Sequence, residues 1–236
     1  MPADADAHRP RLSALIARAR RVRAINLAVV NLRFLIGFAF LPAAVKKLLD
    51  QPFTDPAKGG PFHDFLDAFH ATGGFYRVVG ALQLAAAVLL LTQRFATLGA
   101  LVALPILTAI AALCWSTAVY PTAAVVTLMW LGTASLLLWD VDKWRAVLAR
   151  DDRAHVVHVA PIGAAIDLTA WARGGAAILA LYLGSALAHG GVYRPRGVEL
   201  DQPGFYVLPL VTLVPVLTWL VERRRIRRGQ GAVASQ

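Results

Sequence analysis

Apolar residues dominate the chain in long blocks, and the polar positions between them are short and punctuating. A membrane-spanning helix needs about 20 mostly apolar residues. Six segments meet or approach that length: Ala24–Leu49, Phe75–Thr92, Phe95–Trp115, Thr122–Trp139, Ile162–Ala188 and Phe205–Val221. Only Gln93 and Arg94 separate the second from the third, which predicts a tight helical hairpin. Pro121 stands at the start of the fourth, where its missing N–H costs little. Asp167 and Arg173 interrupt the fifth.

Two further stretches are amphipathic rather than apolar. Residues 11–25 place Leu12, Leu15, Ile16, Ala19 and Val22 on one face with arginines opposite, as in a helix lying in the interface. In 61–70, Phe62, Leu66 and Phe69 share a face, and His63, Asp67 and His70 share an adjacent one. A short helix starting at Pro61 is expected on the outer surface, phenylalanines down.

Composition sharpens this picture. Hydrophobic residues make up 58% of the 236 and charged residues 16%, against roughly 45–50% and about 25% in soluble domains. A soluble enzyme is thereby excluded, and the lone Cys114 excludes a disulfide scaffold. The class is an all-α, polytopic membrane protein. The net charge of +10 does not indicate nucleic acid, because eleven of the 24 basic residues lie at the two ends, beside apolar runs. Such clusters hold loops on the cytoplasmic side and attract anionic lipid. An N-in, C-in arrangement places 16 basic residues inside and six outside, with Arg33 and Arg173 within spans. The expected organisation is a basic segment 1–25, a four-helix membrane core 26–140, a cytoplasmic loop 141–160, a hairpin of two spans 161–222 and a basic tail 223–236.

Candidate chemistry starts with charge inside the membrane, which is costly and commonly functional. Arg33 lies about 14 Å into the first span, on one face with Gly37, Phe40, Ala44 and Lys47. The second span carries Tyr76, Gly80, Gln83 and Ala87 in a matching stripe. Counting from the inner ends predicts that Arg33 and Gln83 sit at similar depth, with Gly37 and Gly80 letting the helices approach. Three readings stay open: a structural lock on Arg33, a polar cavity for a lipid-soluble carbonyl compound such as a quinone, or snorkelling of the side chain. Arg33, Gln83, Lys47 and Arg77 are the candidate ligand contacts. Asp167 is interfacial or a counter-charge for Arg33, and Arg173 lies in a packing stripe of Ala170, Gly174, Ala177, Gly184 and Ala188. Neither His63/Asp67/His70 nor His155/His158 has metal-site spacing strong enough to assign, so no metal is expected.

Phosphate-binding and nucleophile-elbow motifs are absent, as are CxxC and facing histidine pairs for haem. No tightly bound redox cofactor is expected, with quinone as the diffusible ligand if redox chemistry occurs. The stretch from Arg33 through Gly37, Phe40, Ala44 and Lys47 to Leu48 resembles the first helix of the DoxX/DoxD-like membrane family. Phe75–Gln83 and the Arg94–Pro105 hairpin resemble the family's succeeding segments, so the likeness covers about residues 26–140. It departs at Pro42, Ala44 and Lys46, and the last two spans fall outside it. The resemblance implies a four-helix bundle in a bacterial cytoplasmic membrane. Some family members are subunits of thiosulfate:quinone oxidoreductase or are linked to terminal quinol oxidation. It implies a quinone-linked, redox-associated component; with no redox motif in the chain, a partner protein or a diffusible quinone must supply the path of the electrons. The alternative is a non-catalytic subunit or assembly factor that binds partner proteins.

Overall fold

The computed structural model describes residues 11–54, 59–141, 166–192 and 200–234. Within them the expected six helices long and apolar enough to cross a membrane are present. In chain order the elements are α1 (Arg11–Arg20), α2 (Arg23–Leu48), α3 (Pro61–Ala71), α4 (Gly74–Leu91), α5 (Ala96–Ser116), α6 (Tyr120–Trp139), α7 (Leu168–Ala188), a 3₁₀ turn (Pro203–Tyr206) and α8 (Val207–Ala234). Backbone groups in hydrocarbon must be satisfied within the segment, which is why apolar runs of this length settle as helices.

Helices α2, α4, α5 and α6 close a ring of contacts, each touching two of the others. α7 lies against α2 and α4, and α8 against α7. The tightest pairing, α2 on α4, depends on two glycines. A Cβ on Gly37 would meet Leu91 at 2.9 Å, and one on Gly80 would meet Lys47 at 2.6 Å. Both distances are too short for any larger residue, so the small positions set the approach and the register. Between α5 and α6, the indole N–H of Trp115 donates to Thr127 at 3.0 Å, and that of Trp130 donates to Thr108 at 2.8 Å.

Two expectations need correction. The fifth span does not carry Asp167: α7 begins at Leu168, and Asp167 caps it, accepting from the backbone N–H groups of Thr169 (3.0 Å) and Ala170 (3.1 Å). A carboxylate satisfies the free N–H groups of a helix start better than it tolerates hydrocarbon. The packing stripe of α7 is also displaced. Ala170, Trp171, Gly174, Gly175 and Ile178 are buried, whereas Ala177 and Gly184 face outward. Gly175 decides this, because a Cβ there would run into the carbonyl of Leu91. Arg173 turns away from the bundle near the start of α7, and a long side chain there reaches the interface.

α3 forms as expected, with Phe62, Leu66 and Phe69 partly covered and Phe65 exposed. Its Phe69 ring lies 5.0 Å from that of Tyr76, over the start of α4. Lys58, Arg194, Arg196, His155, His158, residues 162–165 and all of the predicted loop but Val141 lie outside the described residues.

Candidate functional site

The start of α2, the end of α4, the end of α6, the start of α7 and the end of the α8 span meet at one end of the bundle. There the chain gathers its buried charge. The Arg33 guanidinium donates to Asp140 Oδ2 at 3.1 Å and to Gln93 Oε1 at 3.2 Å. Asp140 Oδ2 also accepts from Thr97 at 2.8 Å. Arg20 lies 3.6 Å from Asp140 Oδ1 and donates to the Trp139 carbonyl. Arg20, Arg33, Gln93 and Asp140 are all buried. Gln93 holds its place by donating to the Leu90 carbonyl at 3.0 Å, which also covers an orphan acceptor at the end of α4.

A second cluster ties the last two helices to α2. Glu222 of α8, fully buried, accepts from Arg23 at 3.0 Å and from the Asp167 backbone N–H at 2.6 Å. Arg225 then bonds Asp167 at 3.1 Å. Burial disfavours the charged form of Asp167. Bonds from Ala170, Arg225 and Thr169 outweigh it and hold the carboxyl below its ordinary value.

The sequence placed Gln83 beside Arg33; the structure does not. Arg33 meets Gln93, while Gly80 meets Lys47, so Gln83 lies level with Ala43 and Ala44. That is about 16 Å along α2 from Arg33. The two spans are staggered: α2 begins more than three turns before the level at which α4 ends, so counting from each inner end misaligned them. Asp140, Gln93, Thr97 and Glu222 were not singled out. Their legible signal is positional: each is a polar residue at a span boundary, and Glu222 is an acid immediately before a run of arginines.

The far end of the α2–α4 seam is different in kind. Lys47 is 7% exposed. Its ammonium reaches the Ala43 carbonyl at only 3.5 Å and lies 4.3 Å from the Phe53 ring centroid and 5.6 Å from that of Tyr76. Among the described residues no carboxylate lies within ion-pair distance of it. The nearby Asp50 is engaged by Arg77 at 2.8 Å and by His70 at 3.4 Å. Tyr76 donates to the Gln51 carbonyl at 2.7 Å, and Gln51 reaches the Gly190 carbonyl at 3.2 Å, closing the seam from above.

Gln83, 2% exposed, completes the seam. Its Oε1 is buried without a hydrogen-bond partner. Lys47 extends back toward Ala43, one turn deeper than its own Cα. Gln83 lies three residues beyond Gly80 on α4, which runs the opposite way, so it too lies one turn deeper. The two polar ends therefore occupy one level of the seam. Arg77, by contrast, is exposed at the mouth and paired.

A separate cleft of about 500 Å³ opens between α2, α7 and α8, lined by Phe38, Pro42, Tyr182, Phe205 and Leu208. It is almost wholly apolar. Among the described residues no group of three or more His, Cys, Asp or Glu side chains is placed to hold a metal ion, and Asp67 of the histidine face accepts from Thr54 instead.

No protein-family model, curated protein or solved structure matches the chain.

Proposed function

We propose that this protein is a quinone-linked, redox-associated component of a bacterial cytoplasmic membrane, with both termini inside. It holds the carbonyl head of its ligand in the α2–α4 seam at Lys47 and Gln83. The observation that carries this reading is the buried Lys47 ammonium: it lacks a carboxylate partner among the described residues, and an amide whose oxygen is unbonded lies on the same level of the seam. Buried polar groups are ordinarily satisfied, and ionisable groups in membrane segments commonly mark sites. Lys47 has donors to spare for a carbonyl oxygen, and Gln83 adds an amide that can turn to suit. Two aromatic rings beside Lys47 suit a flat head group. Arg33, first among the ligand candidates by sequence, is left out because Asp140 and Gln93 engage it. Arg77 serves at the mouth by holding Asp50 away from Lys47. The DoxX-like resemblance supplies the quinone class by analogy.

The test is chemical. Protein purified gently from membranes and extracted into organic solvent should release quinone at close to one per chain. Lys47→Gln and Gln83→Leu should each lower that amount severalfold. Quinone at empty-bilayer background in the unaltered protein would overturn the reading. It would favour a non-catalytic subunit instead, a role that suits α8, whose Leu213, Val216, Leu217 and Leu220 face outward. Reporter fusions after Gln93, Arg150 and Gln236 should all report from inside; an external signal from any of them would overturn the orientation.

A further inference from the structure

We infer that the seat at Lys47 selects a lipid-soluble acid: the ligand's head presents an anionic oxygen, carboxylate or enolate, to the ammonium. This rests on the reading of the α2–α4 seam as a ligand seat and goes beyond it by naming the charge of what is held.

At the opposite end of the bundle each buried or half-buried cation in the two clusters meets a carboxylate: Arg33 and Arg20 meet Asp140, and Arg23 meets Glu222. Lys47 is as well buried as those residues. It meets instead one distant carbonyl, two ring faces and the neighbouring Lys46, whose own ammonium lies 4.9 Å from the same Phe53 ring centroid. Lys46 turns its ammonium to the Pro52 carbonyl at 2.7 Å, whereas the ring faces beside Lys47 offset only part of its desolvation. Asp50, the nearby acid, is drawn off by Arg77 and His70. A neutral carbonyl would supply Lys47 with a dipole. An anionic oxygen would supply the missing charge, and charge-assisted hydrogen bonds are about twice as strong as neutral ones.

The position fits such a ligand. Lys47 lies in the last turn of α2, so an acidic head can rest at the interface while its apolar body extends into the surrounding hydrocarbon. Gln83, one turn deeper, can donate to a second oxygen of the same head, carboxylate or hydroxyquinone alike. Those are the two sources of this chemistry, a fatty acid and an acidic quinone.

The test uses the full-length protein in neutral detergent and two matched probe pairs at pH 7.5. One pair is oleate and methyl oleate. The other is an alkylated 2-hydroxy-1,4-naphthoquinone and its methyl ether. In each preferred pair the acid should bind about tenfold tighter than its neutral counterpart. Lys47→Gln should collapse the ratio to about one. Gln83→Leu should weaken acid and ether alike and leave the ratio standing, and Arg173→Gln at the far end should change neither. Because the ratio is read first on the unaltered protein, the inference stays testable even if a variant fails to fold. Preference in both pairs supports the inference, and preference in one pair supports it while identifying the source. Ratios near one in both pairs, with quinone still recovered from membranes, overturn the acid inference and leave the seat. No binding of any probe, with quinone at background, overturns the seat and the inference together.

Discussion

Arg33 and Asp140, separated by 107 positions in the chain, meet at 3.1 Å in the interior of the bundle. The contact joins the first spanning helix to the end of the fourth. Through Thr97, Gln93 and Arg20 it also holds α5, the α4–α5 turn and α1. Among the described residues the network carries two guanidinium groups and one carboxylate, so its members are not interchangeable. Losing Asp140 takes the carboxylate away from the buried Arg33 and from the nearby Arg20. Losing Arg33 leaves Asp140 with Arg20 still beside it. Asp140→Leu should therefore cost about 3–5 kcal/mol and Arg33→Leu distinctly less. Thermal or denaturant unfolding in detergent checks the order, and equal losses would mean that Arg20 contributes nothing to Asp140.

Close approach makes a second, independent prediction. Gly175 faces the backbone of Leu91 with no room for a methyl group, whereas a Cβ on Gly184 meets nothing within 4 Å. Gly175→Ala should push α7 off α4 and cost at least the 1–3 kcal/mol typical of overpacking. Gly184→Ala, on the same helix, should stay within about 0.5 kcal/mol of the parent or stabilise it slightly. Paired melting curves of the two variants separate packing from any general effect of altering α7.

Much of the architecture was legible because hydrocarbon imposes a length and a composition on every span, and both are written locally in the chain. The six spans, the α4–α5 hairpin at Gln93 and the small-residue α2–α4 seam all reflect that constraint. The depth of Arg33 relative to α4 did not. Register between helices depends on which small residues meet, here Gly37 with Leu91 and Gly80 with Lys47. Periodicity names the stripe but leaves its sliding position free. Asp140 and Glu222 were hidden for a related reason. A charge at a span boundary reads as solvated until another helix covers it, and that cover comes from distant parts of the chain. Lys47 was legible as a candidate, but the lack of a carboxylate at its ammonium is a property of the fold alone.

The cap on α7 predicts a pH response. The Asp167 carboxyl is held below its ordinary value of 3.8 despite burial, by the Ala170 and Thr169 N–H groups and by Arg225. A depressed acid stabilises the fold fully above its unfolded pKa, and that contribution disappears as pH falls through the folded value. The loss therefore begins just below pH 4 and leaves neutral pH untouched. Asp167→Asn keeps a good capping side chain but has no carboxylate to protonate. Its melting temperature should fall less steeply than the parent's between pH 4.5 and 2.5. Parallel curves for the two proteins would assign the acid sensitivity to another carboxylate.

Glu222 offers the sharpest separation of hydrogen bonding from charge. It is fully buried, and its two oxygens have different partners: Oε1 takes the Asp167 backbone N–H at 2.6 Å, and Oε2 takes Arg23 at 3.0 Å. Arg23 is partly exposed and can turn to water when its partner is lost, so the ion pair itself is worth little. The Asp167 N–H has no such escape at the start of a capped helix. Glu222→Gln keeps an amide oxygen for that N–H while removing the charge, and should cost about 1 kcal/mol. Glu222→Leu leaves the N–H unsatisfied while Arg23 turns to water, and should cost about 2–3 kcal/mol. Because the bond fixes α8 to the start of α7, amide exchange at Asp167 should rise in Glu222→Leu and stay slow in Glu222→Gln. Equal destabilisation by both variants would show that the charge pair with Arg23, and not the backbone bond, holds the last two helices to α2.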